Sequence, residues 1–226
     1  MELYEVMRTA PATRAFTDEP VSDEALSRIL DHARFAPSGG NRQGWRVVVV
    51  KDPQIRRRIR DLYRLGWREY MAHVEAGLVP FAPTDHGRWT GPEVDLERAR
   101  QVPRPNAFAD GLHKAPVLLV LVAQLSALAC LDNGLDRQSI VGGASIYPFA
   151  QNILLAARNE GLGGVLTSAL VRQEPEVRQL LGLPEGFALA GLIVLGHPKR
   201  QITKLSRRPV EDFAFVDRFG GASFTT

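Results

Sequence analysis

The sequence predicts an α+β fold. Two segments with helical spacing come first, and strands and helices then follow in mixed order. The apolar run 115–123 is long enough for a strand that is buried on both faces. Because strands and helices do not alternate regularly, α+β is favoured over a wound β-α-β sheet.

The first third of the chain contains a short amphipathic segment, two predicted helices and one strand. Residues 2–8 form the amphipathic segment. A second helix starts at Ser22, a good N-cap followed by acidic residues, and continues to about residue 35. The β-branched run 45–50 predicts a strand, and Pro53 opens a helix at its first position.

The remaining elements are separated by Gly and Pro residues, which punctuate secondary structure. The helix in this part carries apolar side chains at helical spacing, and Gly161 ends it as the C′ residue. The prediction comprises strand 117–123, helix 145–160, strand 163–167, helix 175–181 and strand 187–195.

Composition excludes several classes of protein. The 226 residues carry a net charge of +3, too little to indicate a nucleic-acid partner. The single cysteine, Cys130, rules out an intrachain disulfide and a Cys-rich zinc site. No apolar run of 18 residues predicts a membrane span, and the N-terminus lacks the apolar region of a secretory signal. We therefore expect a cytoplasmic protein with no membrane partner.

The chain is expected to form a single domain, 1–226. Residues 80–105 contain five prolines and many charges, so 80–111 is predicted to be a lid or insertion. The tail 208–226 is apolar and follows the last strand, and it packs either on a partner chain or on its own subunit. Four aromatic or imidazole side chains lie in or near the predicted lid. They either shape a substrate site or pack against the rest of the protein: Tyr63, Tyr70, His86 and Trp89.

Several common catalytic motifs are missing from the sequence. No G-x-G-x-x-G follows a strand, and no G-x-x-x-x-G-K-[ST] is present, so neither a Rossmann site nor a P-loop is predicted. H-E-x-x-H and G-x-S-x-G are also missing. What remains is a set of separated loops rich in small and hydrogen-bonding residues.

Read together and in order, these loops resemble the nitroreductase family. The most specific match is A-P-S-x-x-N-x-Q-x-W at residues 36–45, where Gly44 stands at a position that is often Pro. Further matches are Thr13-Arg14-x-Phe16, Gln151-Asn152-x-Leu-Leu-x-Ala before Gly-Leu-Gly-Gly, Leu195-Gly-His-Pro and Arg207-x-Pro-Val. The resemblance covers nearly the whole chain.

The resemblance implies an α+β fold with a mixed, largely antiparallel sheet flanked by helices. It also implies an intertwined homodimer with FMN at the interface. It also implies ping-pong hydride transfer from NAD(P)H, through the flavin, to a small molecule such as a nitroaromatic, a quinone or an activated alkene. No protein side chain is expected to be catalytic, because flavin N5 carries the hydride. The nicotinamide stacks only briefly on the flavin, which accounts for the missing Rossmann motif.

The resemblance also implies roles for individual residues. Arg14 would lie at the N1–C2=O2 edge of the flavin, and backbone N–H groups at the end of the 163–167 strand would meet O4 and N5. The loop after the first long helix would line the ring and ribityl chain, and a C-terminal arginine would hold the phosphate. The complete cofactor set is Arg8, Arg14, Pro37, Ser38, Gly39, Asn41, Gln43, Leu166, Thr167, Ser168, Arg207 and Arg208.

The sequence departs from the family pattern around the phosphate. Ala10 and Pro11 occupy positions where the family usually has another arginine, Ala12 replaces a common serine, and Leu205 replaces a common lysine. Arg8 is included because it could supply the missing cation. Two alternatives stay open: a flavin-dependent oxidase or dehydrogenase of a specialised metabolite, and a non-catalytic member. Neither the physiological acceptor nor the choice between NADH and NADPH can be read from the sequence.

Overall fold

A computed structural model describes residues 1–83 and 85–225, and it contains a four-stranded sheet in the order β1-β2-β4-β3. All three strand pairings are antiparallel, so the predicted α+β class is confirmed. Thr84 in the predicted lid and Thr226 at the end of the tail lie outside the described residues. The strands are β1 Trp45–Val49, β2 Val117–Gln124, β3 Gly163–Thr167 and β4 Phe187–Gly196.

Seven α-helices surround the sheet within the described residues. The second ends at Ala33 rather than near residue 35, and the sixth starts at Tyr147 because a 3-10 helix, Val141–Ser145, precedes it. The described helices include none that is long and apolar enough to cross a bilayer. The helices are α1 Leu3–Arg8, α2 Asp23–Ala33, α3 Pro53–Glu75, α4 Leu96–Gln101, α5 Ala107–Gly111, α6 Tyr147–Asn159 and α7 Glu174–Leu181.

Strand β2 separates two apolar cores. Leu119 and Leu121 face the core formed with α2 and α6, whereas Leu118 and Val120 face the core formed with α3 and α7. All four side chains are fully buried. This alternation explains why the strand appears in the sequence as an uninterrupted apolar run.

The described part of the predicted lid region combines short helices with irregular backbone. It contains α4 and α5, whose N-terminal N–H groups are capped by the side chains of Asp95 and Asn106. Between α3 and α4, the backbone of Asp85 pairs with that of Arg88 in a tight turn. Outside α4, α5 and this turn, the described residues of the region are irregular, and its role as a lid remains a prediction.

Helix α3 makes a close backbone contact just beyond the end of β3. A Cβ atom added to Gly66 would lie 2.0 Å from the carbonyl oxygen of Ala169. Ala169 opens a 3-10 helix, Ala169–Gln173, that directly follows Ser168. Glycine at position 66 thus lets α3 approach the chain where β3 ends.

The loop between β2 and α6 is organised by the buried carboxylate of Asp132. It accepts hydrogen bonds from the backbone N–H of Ile140 at 2.7 Å, from Arg137 at 2.8 Å and from the Ser139 hydroxyl at 2.8 Å. The Ile140 N–H above all, and then the Arg137 guanidinium, hold the pKa of Asp132 far below its usual range. The loop leads to Ser145, which contacts the loop after α2.

The tail folds mainly upon itself. Within the described residues, the backbone hydrogen bonds of 210–225 all join residues of the same tail. The rings of Phe215 and Phe219 pack edge to face at 5.3 Å, while Phe219 is 95% exposed. An apolar turn is therefore left on the surface of the chain.

The contact at Gly66 can be tested with Gly66→Ala. The added methyl group would overlap Ala169, so we expect a loss of about 1–3 kcal/mol in the free energy of unfolding, measured by chemical denaturation. Gly111→Ala is the control, because a Cβ there meets no atom within 4 Å. Equal stability of the Gly66→Ala variant and the wild type would contradict the close approach.

The Asp132 loop predicts a pH-dependent difference in stability. Because its pKa is lowered in the folded state, the carboxylate stabilises the fold above about pH 4 and this stabilisation fades at lower pH. At pH 7, Asp132→Asn should therefore unfold at lower denaturant concentration than the wild type. The difference between the two unfolding midpoints should become smaller in acid. Asp31→Asn, at an exposed ion pair, is the control. A difference in unfolding midpoint that stays the same in acid would refute the role of the Asp132 charge.

Candidate functional site

The segment that carries Arg14 is held by backbone hydrogen bonds on both sides. Thr13 N–H donates to the Gly164 carbonyl at 2.9 Å, and Lys199 N–H donates to the Ala15 carbonyl at 3.0 Å. A Cβ at Gly163 would lie 2.7 Å from the Thr13 hydroxyl oxygen, so the small residue permits this approach. The segment thereby places Arg14 beside the end of β3.

Two cavities meet at Arg14 and Leu166. The first, of about 530 Å³, follows one face of α6, and we call it the helix groove. Its wall consists of Ala10, Pro11, Ala12, Arg14, Tyr147, Pro148, Gln151, Leu154, Arg158, Leu162, Gly163, Gly164, Val165 and Leu166.

The second cavity, of about 470 Å³, lies between α3 and the end of β3, and we call it the aromatic pocket. Arg14 is the only charged side chain among the described residues that line it. Its wall consists of Arg14, Tyr63, Trp67, Tyr70, Asn106, Phe108, Leu166, Thr167, Ser168 and Ala169.

The aromatic wall is tied to the strand end through Tyr63. Its hydroxyl group lies 3.1 Å from the Thr167 hydroxyl oxygen, and its ring packs edge to face on Phe108. Burial raises the pKa of Tyr63, so the phenol stays neutral near pH 7. Trp67 and Tyr70 stack with centroids 5.8 Å apart, and the buried Trp67 Nε1 has no hydrogen-bond partner in the described part of the chain.

A buried ion cluster fixes α3 next to this wall. The Glu69 carboxylate is fully buried and accepts hydrogen bonds from Arg100 at 2.5 Å and from Arg172 at 2.8 Å. Arg100 belongs to α4, and Arg172 belongs to the 3-10 helix Ala169–Gln173. The cluster therefore joins the lid region, the aromatic wall and the end of β3.

The loop after α2 is ordered by its own polar groups. Gly39 N–H donates to the Ser145 hydroxyl at 3.1 Å, and Gln43 N–H donates to the Ser38 hydroxyl at 3.0 Å. The Gln43 amide donates to Asn41 Oδ1 at 3.1 Å. Neither this loop nor Pro37 lines the helix groove or the aromatic pocket. In the described part of a single chain, the predicted loop therefore lines neither of these two cavities that meet at Arg14.

The predicted phosphate cations are also outside both cavities in the single chain. Arg8, Arg207 and Arg208 are exposed, and Arg207 donates only to the neighbouring Ser206 carbonyl, at 2.7 Å. Their roles remain predictions. The segment that precedes Arg207 is anchored to the N-terminal part of the chain, because the Gln201 amide donates to the Thr9 carbonyl at 2.8 Å.

Sequence reasoning identified part of the aromatic pocket but missed Trp67, Asn106, Phe108 and Ala169. Tyr63, Trp67 and Tyr70 are spaced four and three residues apart, which places them on one face of α3, and this spacing could have revealed the wall. Asn106 and Phe108 lie in the lid region and carried no comparable signal. The two other lid residues considered, His86 and Trp89, do not line the pocket.

Comparison with known proteins connects this geometry to relatives. Human iodotyrosine deiodinase 1 is 30% identical over 93% of this chain, which spans 66% of the human protein's length. A solved iodotyrosine deiodinase bound to FMN and 3-iodo-L-tyrosine matches with a TM-score of 0.68 and 23% identity, over 96% of this chain and 100% of that one.

A second solved structure, the NADPH:FMN oxidoreductase from Vibrio harveyi complexed with NAD⁺, has a TM-score of 0.65 and 22% identity, over 96% of this chain and 77% of that one. At these identities the structures establish the fold. The family model described as the nitroreductase family matches residues 8–197. The chain therefore belongs to the nitroreductase family.

Proposed function

We propose that this protein is an FMN-dependent oxidoreductase that uses NAD(P)H to reduce a flat, conjugated acceptor. The observation that carries the proposal is the meeting of the helix groove and the aromatic pocket at Arg14 and Leu166. Family membership supports it. So do the FMN bound to the solved deiodinase and the NADPH:FMN chemistry named for the Vibrio protein.

The described residues fit this cofactor. Each cavity lies within the usual range for small-molecule sites, and together they provide an elongated space. The backbone N–H groups of Ser168 and Ala169 have no acceptor among the described residues, so they can donate to a ligand. Bound FMN would supply the redox chemistry, accepting a hydride from NAD(P)H and returning electrons to the acceptor.

The chain's own residues would position and tune that chemistry. The Arg14 guanidinium provides a positive charge where negative charge would develop on the reduced ring, and such a charge favours reduction. Leu166 gives the ring an apolar surface. Thr167 is fixed by Tyr63, so the strand end would keep its geometry when a ligand arrives.

The aromatic pocket favours a particular class of acceptor. Tyr63, Trp67, Tyr70 and Phe108 offer faces and edges for stacking on a flat ring. Arg14 suits a nitro group, a quinone oxygen or a carboxylate. We therefore favour nitroaromatics and quinones as acceptors.

Reductive removal of iodine from an aromatic ring is the second candidate, because of the similarity to human iodotyrosine deiodinase 1. The described wall of the aromatic pocket contains no carboxylate that could pair with the ammonium group of a free amino acid. This lack makes iodotyrosine a poorer fit than an uncharged or anionic ring.

The surface of the chain supports a dimer. Its accessible area is 13616 Å², whereas a compact monomer of its mass would expose about 10,200 Å². The excess includes the apolar tail with Phe213 and Phe219. We infer that a second copy covers part of this surface and brings its 37–43 loop to the cofactor.

The function is tested by spectroscopy of the purified protein. After incubation with FMN and gel filtration, we expect flavin absorbance to remain with the protein. Anaerobic NADH or NADPH should bleach it, and a nitroaromatic or quinone should restore it faster than 3-iodotyrosine does. Arg14→Ala should lower FMN affinity about tenfold or more, because charged hydrogen bonds contribute about 1.5–3 kcal/mol.

Arg57→Ala is the matched control, because Arg57 is exposed on the same protein but lines neither cavity of the site. It should retain FMN like the wild type. Wild-type protein that stays colourless with FMN would refute the proposed function. If 3-iodotyrosine restores the flavin absorbance while nitroaromatics and quinones do not, the second candidate is favoured.

The role of the tail is tested by ending the chain after Val210. Removing the apolar turn should weaken self-association, so the molar mass measured by light scattering should fall toward the monomer on dilution. Phe219→Ser, which keeps the tail length, should shift the mass in the same direction by less. A truncated chain whose mass matches the wild type at every concentration would contradict this role.

A further inference from the structure

Arg158 is a half-buried cation without a carboxylate partner in the described structure. It lies in the last turn of α6, and its Nε donates to the Thr9 carbonyl at 2.9 Å and to the Thr9 hydroxyl oxygen at 3.0 Å. Within the described residues, no acceptor contacts Nη1 or Nη2. The guanidinium is therefore held in place by one edge while its other donors remain free.

The free donors belong to a residue of the helix groove. Arg158 lines this groove together with Ala10, Pro11 and Ala12, which have no charged side chains. The groove wall, as described, contains no acidic residue, and Arg14 is its only other cation. A phosphate entering the groove would meet positive charge and no opposing carboxylate.

The two cations mark different parts of the groove. Arg14 lies beside Leu166, where the groove meets the aromatic pocket, whereas Arg158 is tied to Thr9, five residues earlier in the chain. Along α6 the groove extends from Tyr147 to Arg158, about 16 Å at 1.5 Å per residue. A groove of this length has room for an elongated ligand that carries both a ring and a phosphate.

We propose that Arg158 binds the terminal phosphate of FMN. The inference rests on the proposed function, since it takes the flavin ring to lie at Arg14 and Leu166. A guanidinium with two free Nη groups makes paired hydrogen bonds with phosphate oxygens. Arg158 thereby supplies a phosphate-binding cation in place of the family arginine that is missing at Ala10 and Pro11. It lies 148 residues away from Ala10 in the sequence.

The experiment compares FMN with riboflavin, which has the same ring and ribityl chain but no phosphate. Dissociation constants are measured by flavin fluorescence for the wild type, Arg158→Ala and Arg158→Gln. Glutamine can still donate to the Thr9 carbonyl but carries no charge. We expect both variants to bind FMN about ten- to a hundredfold more weakly, with riboflavin affinity changed less than about twofold.

The outcomes separate this inference from the proposed function. A variant that keeps the wild-type preference for FMN over riboflavin overturns the role of Arg158. Equal loss of both flavins in the glutamine variant overturns it as well, because that result marks a purely structural residue. If the alanine variant does not fold, the glutamine variant decides alone. Wild-type protein that binds neither flavin refutes the proposed function itself.

Discussion

The burial of the Glu69 carboxylate is the constraint on which the candidate site depends. An ionised carboxylate with no exposure to water is strongly destabilising unless cations compensate it. Here Arg100 and Arg172 do so, and they come from α4 and from the 3-10 helix that follows β3. If either arginine moved away, the Glu69 carboxylate would be left buried with too little compensating charge. Helix α3, helix α4 and the 3-10 helix are therefore held together as one unit. Gly66, one turn earlier on α3, allows the backbone approach that this unit requires.

The same unit determines the chemistry of the pocket. Because α3 is locked against the end of β3, Tyr63 reaches Thr167, and Trp67 and Tyr70 face the space beside Arg14. Arg14 itself is set independently, by backbone hydrogen bonds from Thr13 and to Ala15. The pocket thus combines an aromatic wall with a single cation among its described lining residues. That combination suits a flat acceptor that gains negative charge during reduction.

Features encoded by local pattern were predictable from the sequence. The strands and the helix starts at Ser22 and Pro53 follow from short motifs or periodicity. The proximity of Arg14 to the 166–168 segment was implied by the family resemblance. Features that depend on long-range contacts were not. The aromatic wall requires α3 to cross the end of β3, and the Arg158–Thr9 contact joins residues 149 apart. Likewise, nothing local identified Asp132 as the residue that organises its loop.

The central claim is that each cofactor site combines Arg14 of one copy with the 37–43 loop of another. Co-expression of two differently tagged chains, one with Arg14→Glu and one with Asn41→Asp, tests it most directly. If the site is shared, a mixed dimer collects both changes in one site and leaves the other intact. The purified mixed dimer should then bind FMN with wild-type affinity at half the sites, while each variant alone binds weakly. If instead both elements act within one chain, every site carries a change, and the absence of any wild-type-affinity site would contradict the claim.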